Sequence, residues 1–188
     1  MHLTLILGPM KSGKSFDLIS HFSPLSYTTT RHALFQPQKN VRDEGIASRS
    51  GLFLAAQKIH SLKDINLDAY DVIGLDEVHM FNPHEVRYLR SLLTRDTDII
   101  ACGLDTDYKG EMFEIIKKLL ELGPSNVTYK RAVCAGCKAF TATHTQVYRE
   151  GKPLTGGMPS VIPEDGTFEY EPVCRNCFVY SVSPSRHS

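Results

Sequence analysis

Charge of neither sign is in surplus: 21 Lys and Arg face 21 Asp and Glu. That balance excludes the overall basic field of a dedicated nucleic-acid binder and leaves at most a local patch. Long apolar runs are missing too. None approaches the roughly 20 residues that cross a bilayer, so no membrane association is expected. The apolar stretch at the N-terminus is short and runs straight into a glycine-bearing loop, which is not the layout of a secretory signal. A cytoplasmic location is the default expectation. Cysteine is scarce, with five in the chain. In that compartment they are reduced, and their arrangement in pairs points to metal more than to disulfides. Internal repeats and low-complexity tracts are absent. At 188 residues the chain suits one ordinary domain and a small appendage.

What is there begins with Gly8-Pro9-Met10-Lys11-Ser12-Gly13-Lys14-Ser15, directly after the apolar run Leu3–Leu7 and directly before the apolar-periodic Phe16-Asp17-Leu18-Ile19. This is G-x-x-x-x-G-K-[ST] in a strand–loop–helix setting, the phosphate-binding P-loop. Glycines at its ends let successive backbone N–H groups converge on phosphate oxygens at the positive end of the following helix. Lys14 then reaches the β- and γ-phosphates, and the Ser15 hydroxyl can hold Mg²⁺. A nucleoside triphosphate is the implied ligand.

Further along, apolar runs alternate with helical patterns. Ser15–Phe22 reads as a helix ending or kinking at Pro24, and His32–Phe35 as a strand. The polar stretch Gln38–Gly51 reads as loop, Leu52–Ala56 as a weak strand, and Tyr70–Leu75 as a buried one. Asn82-Pro83 has the form of a helix start, Asp98–Gly103 is another buried strand, and Glu111–Leu122 is an amphipathic helix stopped by Gly123-Pro124. The expected fold is α/β: a P-loop NTPase-like, mostly parallel sheet flanked by helices, spanning residues 1–125. Residues 126–180 change character, with short β-like pieces (Val127–Val133, Phe140–Tyr148, Glu169–Val173) around two cysteine pairs, and 181–188 read as a disordered tail.

Asp71-Val72-Ile73-Gly74-Leu75-Asp76-Glu77 is an apolar strand tipped by two acids. Adjacent residues at a strand end project in different directions. Asp76 is therefore assigned to the Mg²⁺ side and Glu77 to the general base that deprotonates the acceptor. Cys134-Ala135-Gly136-Cys137 and Cys174-Arg175-Asn176-Cys177 supply four thiolates, which close a tetrahedral structural Zn²⁺ site and leave no open position for catalysis. The Gly/Pro-rich stretch Gly151–Gly166 leaves the metal and returns to it. Cys102, in an apolar strand, reads as buried filler. His79 reads as a satisfied buried imidazole rather than a catalyst.

In this order, these pieces resemble the type II thymidine kinases, the zinc-containing cytosolic family. The resemblance runs from about His2 to Phe178 and is carried by the P-loop and by Asp76-Glu77-Val78-His79-Met80-Phe81. Gly103-Leu104-Asp105-Thr106-Asp107-Tyr108-Lys109-Gly110-Glu111-Met112-Phe113 and the two cysteine knuckles with Tyr170 complete it. It implies transfer of the ATP γ-phosphoryl group to the 5′-hydroxyl of thymidine, with Glu77 as base. It further implies a nucleoside pocket drawn from Met10, Arg42, Met80, Leu104, Tyr108, Phe113, Thr145 and Tyr170. Tyr170 falls on a lasso loop between the zinc knuckles, whose backbone holds the base. The resemblance also implies a homotetramer with feedback inhibition by dTTP, and no nucleic-acid partner.

The departures cluster around the base. Asn40 replaces the family's aspartate two residues before Arg42, His79 replaces glutamine and Met80 phenylalanine, and Val147 stands where arginine is common. The lasso is longer and carries Pro163. A kinase homologue with altered base specificity, a homologue without turnover, or a zinc-containing, nucleic-acid-dependent P-loop ATPase are the competing readings.

Overall fold

The computed structural model describes residues 2–40, 45–47, 53–163 and 166–180. Arg42, Arg49, two residues of the lasso (Glu164 and Asp165) and the tail 181–188 lie outside the described residues.

Six strands form one fully parallel sheet: β1 (Leu3–Leu7), β2 (His32–Pro37), β5 (Gln57–Ile59), β6 (Val72–Leu75), β7 (Asp98–Gly103) and β8 (Asn126–Tyr129). Their spatial order is β5-β2-β6-β7-β1-β8. The central strands are apolar on both faces because both faces are covered. Side chains of a strand alternate between faces, and two cores follow from that. Leu3, Leu5 and Leu7 of β1, with Ala33, Phe35, Ile73, Leu75, Ile99 and Ala101, meet α2 (Val86–Leu93) and α3 (Glu114–Glu121). The intervening Ile6, Leu34 and Cys102 meet α1 (Lys14–Phe22). Each helix turns one stripe inward: Leu18, Ile19 and Phe22 of α1, Val86, Leu89 and Leu92 of α2, and Ile115, Ile116 and Leu119 of α3. Gly74 is part of that fit, since a Cβ there would stand 2.3 Å from Leu34 Cδ2 and 2.8 Å from the Phe22 ring.

Three expectations need correction. Gln38–Gly51 is not all loop: β3 (Gly45–Ala47) pairs antiparallel with β4 (Phe53–Ala55), and the reason is Ile46, buried against the α1 core. The helix expected from Glu111 starts at Glu114 instead. Asp107 Oδ1 accepts the backbone N–H groups of Lys109 and Glu111, and Thr106 bridges to Met112, so residues 106–112 are held as a turn. The piece expected at Val127–Val133 forms β8, four residues beginning at Asn126, and extends the large sheet beside β1. The smaller antiparallel sheet follows it, with β9 (His144–Arg149) between β10 (Lys152–Pro153) and β11 (Glu169–Val173). At Asn82-Pro83 the expected start holds: Asn82 Oδ1 accepts the His84 N–H at 3.0 Å, and a 3₁₀ turn leads into α2.

Because the large sheet is parallel, the loops after β1, β6 and β7 all leave from one edge, the carboxyl end where α/β proteins build their sites.

Candidate active site

The loop from Gly8 to Ser15 joins β1 to α1. Gly8 has φ 144°, and a Cβ on it would lie 2.6 Å from the Lys130 carbonyl oxygen, so the loop passes too close to the chain leaving β8 for any side chain. Gly13, at φ 82°, caps α1 in the left-handed region, and Lys11 shares that region at φ 62°. Ser12 and Lys14 are buried, and the Lys14 ammonium donates to the Pro9 carbonyl at 2.7 Å across the loop.

Asp76 and Glu77 follow directly after β6. The Asp76 N–H still donates to the Phe35 carbonyl of β2 at 2.9 Å, whereas Glu77 turns left-handed at φ 48°, a strained conformation for a residue with a side chain. The Ser15 hydroxyl donates to Asp76 Oδ1 at 3.3 Å. The same oxygen accepts the Cys102 thiol at 2.9 Å. Burial, and then the charge of Glu77, push the Asp76 carboxyl up to about 7, and burial likewise pushes the Cys102 thiol up. Cys102 is thus more than filler. The register carries the signal: Leu75 pairs with Ala101, so the next residues of β6 and β7 are Asp76 and Cys102.

His79 is buried, and burial lowers it to about 4, so the ring is neutral. Its Nδ1 accepts the Leu104 N–H at 3.3 Å, which assigns the ring proton to Nε2. Glu77 Oε2 lies 3.4 Å from that same Nδ1. With no proton on Nδ1, the contact is not an ion pair.

Beside the acids lies a pocket lined by Met80, Leu104, Tyr108, Phe113, Thr145 and Tyr170, six of the eight residues expected there. Met10 adjoins it, its N–H donating to Thr145 Oγ1 at 3.0 Å. Arg42 is outside the described residues. The open space amounts to about 20 Å³, room for a water molecule and little more. Ser160, Val161 and Ile162 form the wall that fills it. That loop is pinned by two tyrosines. Tyr108 Oη donates to the Met158 carbonyl at 2.7 Å, and Tyr170 Oη donates to that of Pro163 at 3.0 Å.

The Sγ atoms of Cys134, Cys137, Cys174 and Cys177 lie within 4.8 Å of one another and could hold a metal ion. Backbone groups are already turned to thiolate: the Cys174 N–H donates to Cys134 Sγ at 3.3 Å. Burial opposes ionisation of Cys134, but N–H groups of Cys137, Cys174 and Gly136 bring it down to about 6. Gly136 fits for the same reason, since a Cβ there would stand 3.0 Å from Cys177 Sγ. Four thiolates at this spacing suit Zn²⁺.

The family model described as thymidine kinase matches residues 1–178. The chain belongs to the thymidine kinase family. A thymidine kinase of Thermococcus kodakarensis is 34% identical over 183 residues, covering 92% of this chain and 91% of its own length. One from Chloroflexus aurantiacus is 33% identical over 187 residues, with coverage of 96% and 95%. One from Mycoplasma mycoides is 34% identical over 187 residues, with 94% and 88% covered.

Within this thymidine kinase fold, sequence reasoning missed five other residues of the pocket wall: Thr106, Asp107, Ser160, Val161 and Ile162. Val147, noted only as a departure from the family pattern, and His79, read as a buried imidazole, line it as well. Val161 and Ile162 open the lasso segment but were not assigned to the pocket, and Ser160 carries no motif. Thr106 and Asp107 stood inside a motif, between residues already assigned. Among the described residues no helix is long and apolar enough to cross a membrane.

Proposed function

We propose that this chain is a thymidine kinase that transfers the γ-phosphoryl group of ATP to the 5′-hydroxyl of thymidine. The observation that carries the reading is the junction at Met10. The phosphate loop touches the wall of the pocket through the Met10–Thr145 hydrogen bond, so a triphosphate and a second molecule would meet beside Glu77. Phosphoryl transfer needs little beyond positioning and charge stabilisation, and each residue has a part in that. Backbone N–H groups of the loop from Lys11 to Ser15, beyond Pro9, which has none, and Met10, which is bonded to Thr145, hold the phosphates together with the Lys14 ammonium. Glu77, charged and not paired with His79, takes the proton of the 5′-hydroxyl as its oxygen attacks. Ser15 and Asp76 are oxygen donors 3.3 Å apart, a set that suits a hard cation. Mg²⁺ held there would neutralise charge on the β- and γ-phosphate oxygens.

Met10, Met80, Leu104, Tyr108, Phe113, Thr145 and Tyr170 surround the nucleoside in this reading, and the family resemblance adds Arg42, which lies outside the described residues. A nucleoside exceeds the open space of about 20 Å³, so the wall at Ser160–Ile162 moves outward to admit it. Zn²⁺ on the four cysteines fixes the stem of that wall. A homotetramer, feedback inhibition by dTTP and a cytoplasmic location belong to the same proposal, on the strength of family membership. So does the division into a nucleotide-binding part and a metal-binding part, expected at residue 125, with β8 (Asn126–Tyr129) belonging to the sheet side of it.

The test is transfer of labelled phosphate from ATP to a panel of nucleosides by zinc-loaded protein. Phosphorylation of thymidine ahead of deoxycytidine and the purine deoxynucleosides is expected. A folded protein that phosphorylates none of them refutes the proposal.

A further inference from the structure

The polar groups around the pocket are nearly all engaged. Asp107 holds its own turn, Tyr108 both donates to and accepts from Met158, and Tyr170 binds the Pro163 carbonyl. Thr145 accepts from Met10, and His79 from Leu104. Thr106 differs. Its Oγ1 is buried, it lines the pocket, and it finds no hydrogen-bond partner among the described residues. A buried hydroxyl left unpaired costs stability, and native proteins carry few of them. Nor does the turn need it, since the Asp107 carboxylate and the Thr106–Met112 backbone bridge hold residues 106–112. Around it the wall is mostly apolar: Met80, Leu104, Phe113, Val147 and Ile162.

We propose that Thr106 is a specificity-determining residue whose hydroxyl is reserved for a hydrogen bond to the bound nucleoside. This rests on the thymidine kinase reading and adds to it a residue that the family motif left without a role. A site with a buried group waiting for a partner rejects ligands that cannot supply one, because the group then stays unpaired.

The test is Thr106→Val, which keeps the shape and deletes the hydroxyl, beside Thr106→Ser, which keeps the hydroxyl. Each is measured for thermal midpoint without ligand, for thymidine binding by calorimetry, and for kcat and KM. In Thr106→Val the midpoint stays level or rises, because an unpaired buried group has gone. Thymidine binding nonetheless weakens about tenfold, in KM rather than kcat. Thr106→Ser restores most of the binding. Repeating the comparison with 3′-deoxythymidine locates the partner. Loss of the penalty places it on the 3′-hydroxyl, and retention places it on the base, the 5′-hydroxyl or the ring oxygen, and both results support the proposal. Equal thymidine affinity in Thr106→Val and an active wild type overturns this inference alone. A wild type that neither binds nor phosphorylates any nucleoside overturns it together with the reading beneath it.

Discussion

The hydroxyl of Ser15 donates to Asp76 across 3.3 Å and so joins the first turn of α1 to the end of β6, although the two residues are 61 positions apart. Asp76 sits there almost wholly buried, with its carboxyl pushed up to about 7 by burial and by Glu77. A carboxyl raised in the fold contributes stability below its unfolded value of 3.8 and loses it as pH rises through about 7. At pH 8 its charge is therefore a cost. Asp76→Asn, without magnesium or nucleotide, should raise the thermal midpoint at that pH by about 4 °C, while magnesium-dependent phosphoryl transfer drops at least about 100-fold. Calorimetry and a transfer assay on the same preparation check both. A lowered midpoint would mean that the buried charge is compensated elsewhere.

The proposed role of Glu77 as base rests on what it lacks. The nearest ring nitrogen, His79 Nδ1 at 3.4 Å, is already accepting from Leu104 and has no proton to give. Glu77→Gln should lower kcat by about 10²–10⁴-fold and leave ATP binding intact, because the change touches the proton and not the phosphates. Near-wild-type turnover would remove Glu77 as the base.

His79 also gives a pH signature. Burial lowers it from 6.5 to about 4, so the unfolded chain binds a proton that the fold refuses. The stability present above pH 6.5 is then lost as pH falls towards about 4. Asp76 pulls the other way over this range, but equally in wild type and in His79→Gln. The wild-type midpoint should therefore fall more steeply than that of His79→Gln between those limits. Parallel curves would show that the imidazole titrates normally.

Motif spacing carries the parts of this molecule whose chemistry is local. The P-loop, the acidic strand tip and the cysteine knuckles each need residues a few positions apart, and each falls into one cluster. The strands Leu3–Leu7 and Asp98–Gly103 were legible because a parallel strand covered on both faces is a continuous apolar run. Ile46 was not: one apolar residue in a polar stretch has no period, and only α1 packing over it makes β3. The late start of α3 was hidden similarly, because Asp107 competes for the N–H groups that a helix from Glu111 would not yet have bonded. The pocket wall at Ser160–Ile162 depends on two tyrosines 62 positions apart reaching the same loop, which no local pattern encodes.

The cysteine quartet tests the metal separately from the chemistry. Cys174 follows directly after β11, which carries Tyr170 and through it the pocket wall. Cys174→Ser should lose the single zinc, measurable by atomic absorption, and raise the nucleoside KM about tenfold or more as the stem of the wall loosens. ATP binding at the P-loop should change far less. Full zinc content together with unchanged KM would separate the wall from the metal.

The two halves of the site are also tied by charge. Lys11 Nζ, on the phosphate loop, lies 2.8 Å from Glu171 Oε1, one residue past Tyr170. The side chains are 31% and 39% exposed, so solvent screens the pair and it contributes on the order of 0.5 kcal/mol. A double-mutant cycle of Lys11→Met and Glu171→Gln should return a coupling of that size in folding stability, shrinking towards zero near 1 M salt, where the Debye length is about 3 Å. Both single variants should stay folded, since the Met10–Thr145 hydrogen bond still joins loop to sheet. Additivity at low salt would leave the Met10–Thr145 hydrogen bond, among the described residues, as the polar tie between the phosphate loop and the pocket.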